Sequence, residues 1–349
     1  MTPQFTPALP IHVKSRSLGT AACLLAATAS ALLLFFAVAP PAAAQTPTLV
    51  VVRAMPVKAK KSELFPPQPP LTKSDIGEIK VGGKIVPVTD FVPVLHDPHS
   101  PVVQLMVLLD SEQMLGSNGQ FGDLKKFFSE MPSNVEIGVG WLLLGRTVVV
   151  QPFTTDRDLA SKALVAKTRE EASNPKNDNG NPFQCLRDLA AKWPTPDPAK
   201  LRAVLMFTDG ITRSNGQQQT KDEQMNPDVS GASQILQREG IIPYPFYWMD
   251  PIVPGEGRSE GGTLEGQTNF ADLASETGGA ALYDGMFAPG SLSLLLNRLY
   301  KTLESEAVLT VSAPGKPGTF TRIDIKTNNR DDIKIFAPDS ITVGNVLKK

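Results

Sequence analysis

Two aspartates are the residues of this 349-residue chain best placed to do chemistry. Asp110 closes the apolar run Val102–Leu109, and Asp209 follows the apolar run Arg202–Thr208 in Thr208-Asp209-Gly210. In open α/β sheets, ligands bind beyond the carboxyl ends of the strands, so a carboxylate ending a fully buried strand stands at the right place. Oxygen donors of this type suit a hard cation such as Mg²⁺ or Ca²⁺. They equally suit a structural task, accepting the backbone N–H groups of the loops that follow.

Other chemistries have little to work with. With 3 histidines and 2 cysteines, zinc fingers, haem attachment and disulfide scaffolds are excluded. His96-Asp97-Pro98-His99 spaces two imidazoles at i and i+3, but Pro98 prevents a helical face, so the segment reads as a turn. No histidine lies beyond His99, so none follows a serine of the main domain in hydrolase order, and no phosphate-binding Gly-x-x-x-x-Gly-Lys-Ser/Thr loop is present. Lys+Arg 34 against Asp+Glu 35 leaves no basic excess for nucleic acid. A catalytic role is not expected.

The elements that must hold the two aspartates alternate along the chain. Val102–Asp110 and Arg202–Thr208 read as strands buried on both faces, and Val135–Leu143 with Thr147–Phe153 as a strand pair around Gly145-Arg146. Helical spacing is clear at 121–131, with Leu124, Phe127, Phe128 and Met131. It recurs at 183–193, at 230–239 before Gly240, at 269–277, and at 291–303 with a leucine stripe. Thr155-x-x-Asp158 reads as a capping-box-like helix start. Ile241–Trp248 reads as a strand, with the aromatics Tyr244, Phe246, Tyr247 and Trp248 serving packing, and Ala280–Tyr283 as a short strand. Glu256–Gly266, rich in glycine, reads as a long polar loop, and Gln217–Glu223 as a hydrophilic insertion beside Asp209. The pattern predicts an α/β fold: a doubly wound, mainly parallel, Rossmann-like sheet flanked by helices.

The flanks differ from this core. Lys14 and Arg16 precede an apolar run from Leu18 to Ala39, and Ala42-Ala43-Ala44 offers a small-x-small cleavage site. Residues 1–44 therefore read as an export signal cut after Ala44, with an uncleaved membrane anchor as the alternative. Loss of Lys14 and Arg16 would leave 32 basic against 35 acidic groups, and a single cysteine, Cys185, on the apolar side of its helix as a structural thiol. Residues 45–70 read as a Pro-rich linker, with one strand considered at Thr48–Arg53; 71–100 as a β-hairpin element around Gly82-Gly83; 101–306 as the α/β domain; and 307–349 as a C-terminal antiparallel β-meander.

At Asp110 and at Thr208-Asp209-Gly210 the chain resembles the von Willebrand factor type A (vWA) domain. In that family a first strand ends in an Asp-x-Ser-x-Ser metal-adhesion motif, a middle loop supplies a Thr, and a later strand ends in Asp-Gly. Leu71-Thr72-Lys73-Ser74-Asp75-Ile76, Gly83-Lys84 and Glu276-Thr277-Gly278-Gly279 further resemble the VWFA-related group first described in acidobacterial exported proteins. The resemblance covers about residues 71–344 in order of elements, on short motifs. Glu112 and Met114 stand where the motif has serines, and Asn181, in Asp178-Asn179-Gly180-Asn181-Pro182, stands where the Thr would be. A thioether is no ligand for Mg²⁺ or Ca²⁺. What the resemblance implies is a degenerate site, Asp110, Glu112, Asn181 and Asp209, with Ser111 or Asp178 assisting any Mg²⁺ or Ca²⁺ that still bound. The expectation is that no cofactor is required.

The function implied is that of an exported protein-protein or matrix-binding module, in the periplasm, the cell envelope or outside the cell. Its partner would be a protein or envelope ligand rather than nucleic acid, and it would meet no membrane beyond the export signal. Recognition would use the loops around 111–120, 174–182, 210–229 and 250–268. Two alternatives stand beside it: cation-dependent adhesion through Asp110, Glu112 and Asp209, and an envelope component docking through its β-meander.

Overall fold

The computed structural model describes residues 45–57, 68–110, 119–165, 181–197, 199–212, 226–249, 260–285, 288–328 and 330–345. The first strands are β1 (Gln45–Pro56), β2 (Ile76–Val81), β3 (Lys84–Val86) and β4 (Val88–Pro93). The middle of the chain holds β5 (Val102–Asp110), α1 (Gln120–Glu130), β6 (Val135–Leu143), β7 (Arg146–Thr154), α2 (Arg157–Lys162), α3 (Pro182–Ala191) and β8 (Lys200–Thr208). Then come α4 (Pro227–Glu239), β9 (Ile241–Tyr247), α5 (Glu260–Thr277) and α6 (Ser293–Ser305). Strands β10 (Glu306–Pro314), β11 (Phe320–Thr327), β12 (Ile333–Phe336) and β13 (Ser340–Thr342) follow.

Strands β5 to β9 form the central sheet in the order β7-β6-β5-β8-β9, parallel except for β7, which returns antiparallel beside β6. Alternation on the middle strand explains the layers. Val103, Leu105, Val107 and Leu109 face one way and pack with the stripes of α1 and α6, including Leu124, Phe128, Leu295 and Leu299. Met106 and Leu108 face the other way, against Phe183 and Leu186 of α3, Leu236 of α4 and Phe270 of α5. Gln104, the one polar residue inside β5, is buried but accepts the Trp193 indole N–H at 2.8 Å.

Strand β9 carries Pro243 and Pro245, which argue against a central position. Both belong to the set of residues facing the outer edge, where the Pro245 carbonyl accepts Leu282 N–H and Tyr247 N–H donates to the Leu282 carbonyl. The missing proline N–H groups therefore cost nothing in the ladder with β8. The short strand expected at Ala280–Tyr283 is only this bridge, between Phe246 and Leu282.

The flanks of the chain build one β-sandwich. Its sheets are β12-β1-β10-β4 and β13-β11-β2-β3. Between them lies a core that includes Val50, Val52, Ile79, Val81, Leu309, Val311, Ile335 and Ile341. This corrects three expectations. The strand considered at Thr48–Arg53 is present but longer, the twelve-residue β1, paired with β10 on one side and β12 on the other, so residues 45–56 are not linker. The C-terminal meander does not exist as such: β10 and β12 enter one sheet, β11 and β13 the other. Nor is the hairpin of β2 and β3 a separate element, because β2 also pairs with β11. The reason is common to all three: each of these strands has an apolar side that only a distant segment covers.

Two helix starts also differ. Helix α2 is capped by Asp156, whose carboxylate accepts Asp158 and Leu159 N–H at 2.9 and 3.0 Å, rather than by Thr155. Helix α5 begins at Glu260, so the last residues of the expected Gly-rich loop are helical. Among the described residues, no helix is long and apolar enough to cross a membrane.

Candidate functional site at the carboxyl edge of the central sheet

The parallel register pairs Leu109 with Phe207, which brings the next two residues, Asp110 and Thr208, side by side. Thr208 Oγ1 donates to Asp110 Oδ2 at 2.5 Å, with both residues buried. A hydroxyl donor to a carboxylate makes a short, charge-assisted bond. Asp209 is also buried, and its Oδ1 accepts the Ile211 N–H at 3.1 Å, an Asx-type turn that reverses the chain as it leaves the sheet.

The turn is clamped by α5. Gly210 has φ of +69°, and its carbonyl accepts Asn269 Nδ2 at 2.9 Å. A Cβ on Gly266 would lie 2.0 Å from the Asp209 carbonyl oxygen, and one on Gly210 would lie 2.8 Å from the Gly266 carbonyl oxygen. Glycine at both positions lets the helix ride directly on the turn. The contact also gathers acidic groups. Burial and the charge of Asp209 push the Glu265 carboxyl above its ordinary value, and the same two causes raise the Tyr247 hydroxyl.

Two helices open beside this turn, each on an Asn-Pro pair. Asn181 caps α3, its Oδ1 accepting Phe183 and Gln184 N–H, both at 3.1 Å, while its Nδ2 donates to Asp228 Oδ2 at 2.8 Å. Asn226 caps α4, accepting Asp228 N–H at 3.0 Å and donating to Thr212 Oγ1 at 3.1 Å. Proline at the first helical position suits both starts, since that N–H has no helical acceptor in any case. A polar chain thus runs from α3 through Asp228 to the segment after Asp209.

Of the four residues expected at a cation site, Asp110 and Asp209 end neighbouring segments of this edge, and Asn181 caps α3. Glu112 lies outside the described residues, as do Ser111, Met114, Asp178, the insertion at 217–223 and most of the 250–268 loop. The fit to a hard cation is poor at the groups in view. Asp110 Oδ2 already accepts one hydrogen bond, from Thr208, and both lone pairs of the Asn181 oxygen hold helix N–H groups. Among the described residues, no group of three or more His, Cys, Asp and Glu side chains is arranged to hold a metal. His96 instead meets the Tyr300 hydroxyl at 2.9 Å and Glu304 at 3.2 Å on the surface. Cys185 is buried against α3's apolar neighbours, and burial, with the nearby charge of Asp110, pushes its thiol up to about 12.

Sequence reasoning missed Thr208, Asn226, Asp228, Gly266 and Asn269. The two Asn-Pro pairs were a usable signal for the caps. Nothing local marks Gly266, because its role depends on a turn far away in sequence.

No protein-family model matches the chain. A search of curated proteins finds no relative. Among solved structures, the chain is similar to the SpRpn10 VWA domain, at 11% identity and a TM-score of 0.35, over 56% of this chain and 95% of that one.

Proposed function

We propose that this chain is an exported protein-binding module of vWA type, recognising its partner at the carboxyl edge of the central sheet without a cation. The observation that carries the reading is the Thr208–Asp110 hydrogen bond, which ties one oxygen of an edge carboxylate to the neighbouring strand end. The turn at Asp209 and the cap at Asn181 support it in the same way. Binding rather than catalysis is favoured because, among the described residues of the edge, the hydroxyl that meets a carboxylate, Thr208 on Asp110, is buried and not presented to a substrate. The sheet order and flanking helices agree with the fold that the motifs at Asp110 and Asp209 imply. That fold alone sets no function. Export rests on Lys14, Arg16 and the apolar run that ends before Ala42-Ala43-Ala44.

Site-directed photo-crosslinking in the native envelope tests the reading. A crosslinker at Thr212, beside the turn, is expected to capture a defined partner with or without EDTA. One at Lys84, on the outer strand β3 of the sandwich, is expected to capture none. Capture from Lys84 alone would overturn the reading in favour of docking through the sandwich, and capture from Thr212 that EDTA abolishes would restore the cation-dependent one.

A further inference from the structure

The seam between the sandwich and the α/β layers is closed by a buried polar cluster that the carboxyl-edge site does not use. Arg53 of β1 and Glu306 of β10 stand directly opposite each other in the antiparallel ladder, 4% and 3% exposed. From the other side of the seam, the hydroxyl of Tyr244 in β9 reaches Glu306 Oε2 at 2.7 Å and Oε1 at 2.9 Å. Arg53 Nη2 donates to the Gly279 carbonyl, and its guanidinium lies 4.6 Å over the Phe336 ring of β12. Its Nη1 stops 3.7 Å from Glu306 Oε1, and neither Nη1 nor Nε makes a hydrogen bond.

This geometry serves an ionised carboxylate badly. Such a group, deeply buried, needs two or three donors at hydrogen-bonding distance. Glu306 has the neutral Tyr244 hydroxyl and a guanidinium held off by its own bond to Gly279. The groups facing it are Arg53 from β1 and Tyr244 from β9; next to Arg53 stands Arg298 of α6, which in turn faces Tyr283. Burial and the charge of Arg53 lower Arg298 to about 10, and burial lowers Arg53 as well, against the opposing charge of Glu306.

We propose that Glu306 is a proton-linked latch: its carboxyl takes up a proton while the sandwich is seated on the α/β layers and releases it when the seam opens. Burial raises the Glu306 carboxyl to about 7 from an ordinary 4.5, against the opposing pull of Arg53 and the Tyr244 hydroxyl. The closed seam therefore binds more protons than the open one between those two values. It tightens as pH falls from about 7 towards 4.5 and is weakest, at a constant level, above 7.

The test is denaturant unfolding of the full chain from pH 4.5 to 8, for the native protein and for Glu306→Gln, normalised to a surface control, Glu78→Gln. The native opening constant is expected to fall by up to about tenfold per pH unit as pH drops below about 7, and this dependence is expected to vanish in Glu306→Gln but persist in Glu78→Gln. A native and a Glu306→Gln profile of the same shape would overturn the latch. Should the Gln variant not fold, carbon-13 NMR of the native glutamate carboxyls decides. One carboxyl titrating near 7 and shifted by Tyr244→Phe supports the latch; if no raised glutamate responds to that change, leaving only one such as Glu265 that does not touch Tyr244, the latch is overturned.

Discussion

Thr208 Oγ1 and Asp110 Oδ2 lie 2.5 Å apart at the ends of two neighbouring parallel strands, both groups buried. The bond is a charge-assisted one between buried groups, so removing the donor takes a strong hydrogen bond from the strand ends. Thr208→Val is nearly isosteric and is expected to cost about 1–3 kcal/mol in denaturant unfolding. Thr208→Ser, which keeps the hydroxyl, should recover most of that loss. Equal stability of the Val variant and the native chain would mean that Thr208 does not hold Asp110.

Gly266 is where helix α5 meets the turn at Asp209. A methyl there would stand 2.0 Å from a backbone oxygen, which no rotamer change can relieve. Gly266→Ala is therefore expected to destabilise the chain by about 1–3 kcal/mol, opposite in sign to the usual benefit of alanine in a helix. Calorimetric melting should show the fall, and hydrogen exchange should place it at α5 and residues 209–212. A melting temperature equal to or above the native one would contradict the close approach.

Strand β1 is a structural member rather than a tether. Val52 is 1% exposed in the sandwich core. Val52→Asp is expected to cost about 3 kcal/mol or more, because an unpaired carboxylate enters an apolar layer. The same change at Val57, 54% exposed, should be almost neutral. Deletion of 307–349 should likewise abolish folding of the sandwich rather than trim an appendage, since β10 supplies the main partner of β1.

Cys185 offers a probe of opening. With its thiol pushed up to about 12 by burial and by Asp110, the thiolate is scarce at neutral pH and access is blocked. In a Cys23→Ser chain, a disulfide-exchange reagent at pH 8 should label Cys185 only as fast as the chain opens, and label it at once in denaturant. Rapid labelling of Cys185 in that folded chain would contradict the packing around α3.

The central sheet was legible because its signals are local. The apolar run of β5, the aspartate that ends it, the leucine stripe of α6 and Gly240 after α4 each declare themselves within a dozen residues. The sandwich was not, because Gln45 finds Pro314 and Arg53 finds Glu306 across most of the chain. With Pro47 and Pro56 at its ends, β1 shows from sequence only its apolar middle, Thr48–Arg53, and its full length and partners appear once β10 and β12 are in view. At the site, residue type identified Asp110 and Asp209 as the edge carboxylates. The groups that hold them, Thr208, Ile211 N–H and Gly266, are invisible until strand register and helix placement are known. Residue type alone suggests Asn181 as a ligand, whereas its place before Pro182 marks it as a cap.

The recognition proposed at the carboxyl edge needs no cation. Calorimetric titration of EDTA-treated protein with Mg²⁺, Ca²⁺ and Mn²⁺, with melting temperature followed in parallel, checks this. No saturable heat and no thermal stabilisation are expected at millimolar concentrations. Saturable binding that raises the melting temperature, and that disappears in Asp209→Ala, would contradict it.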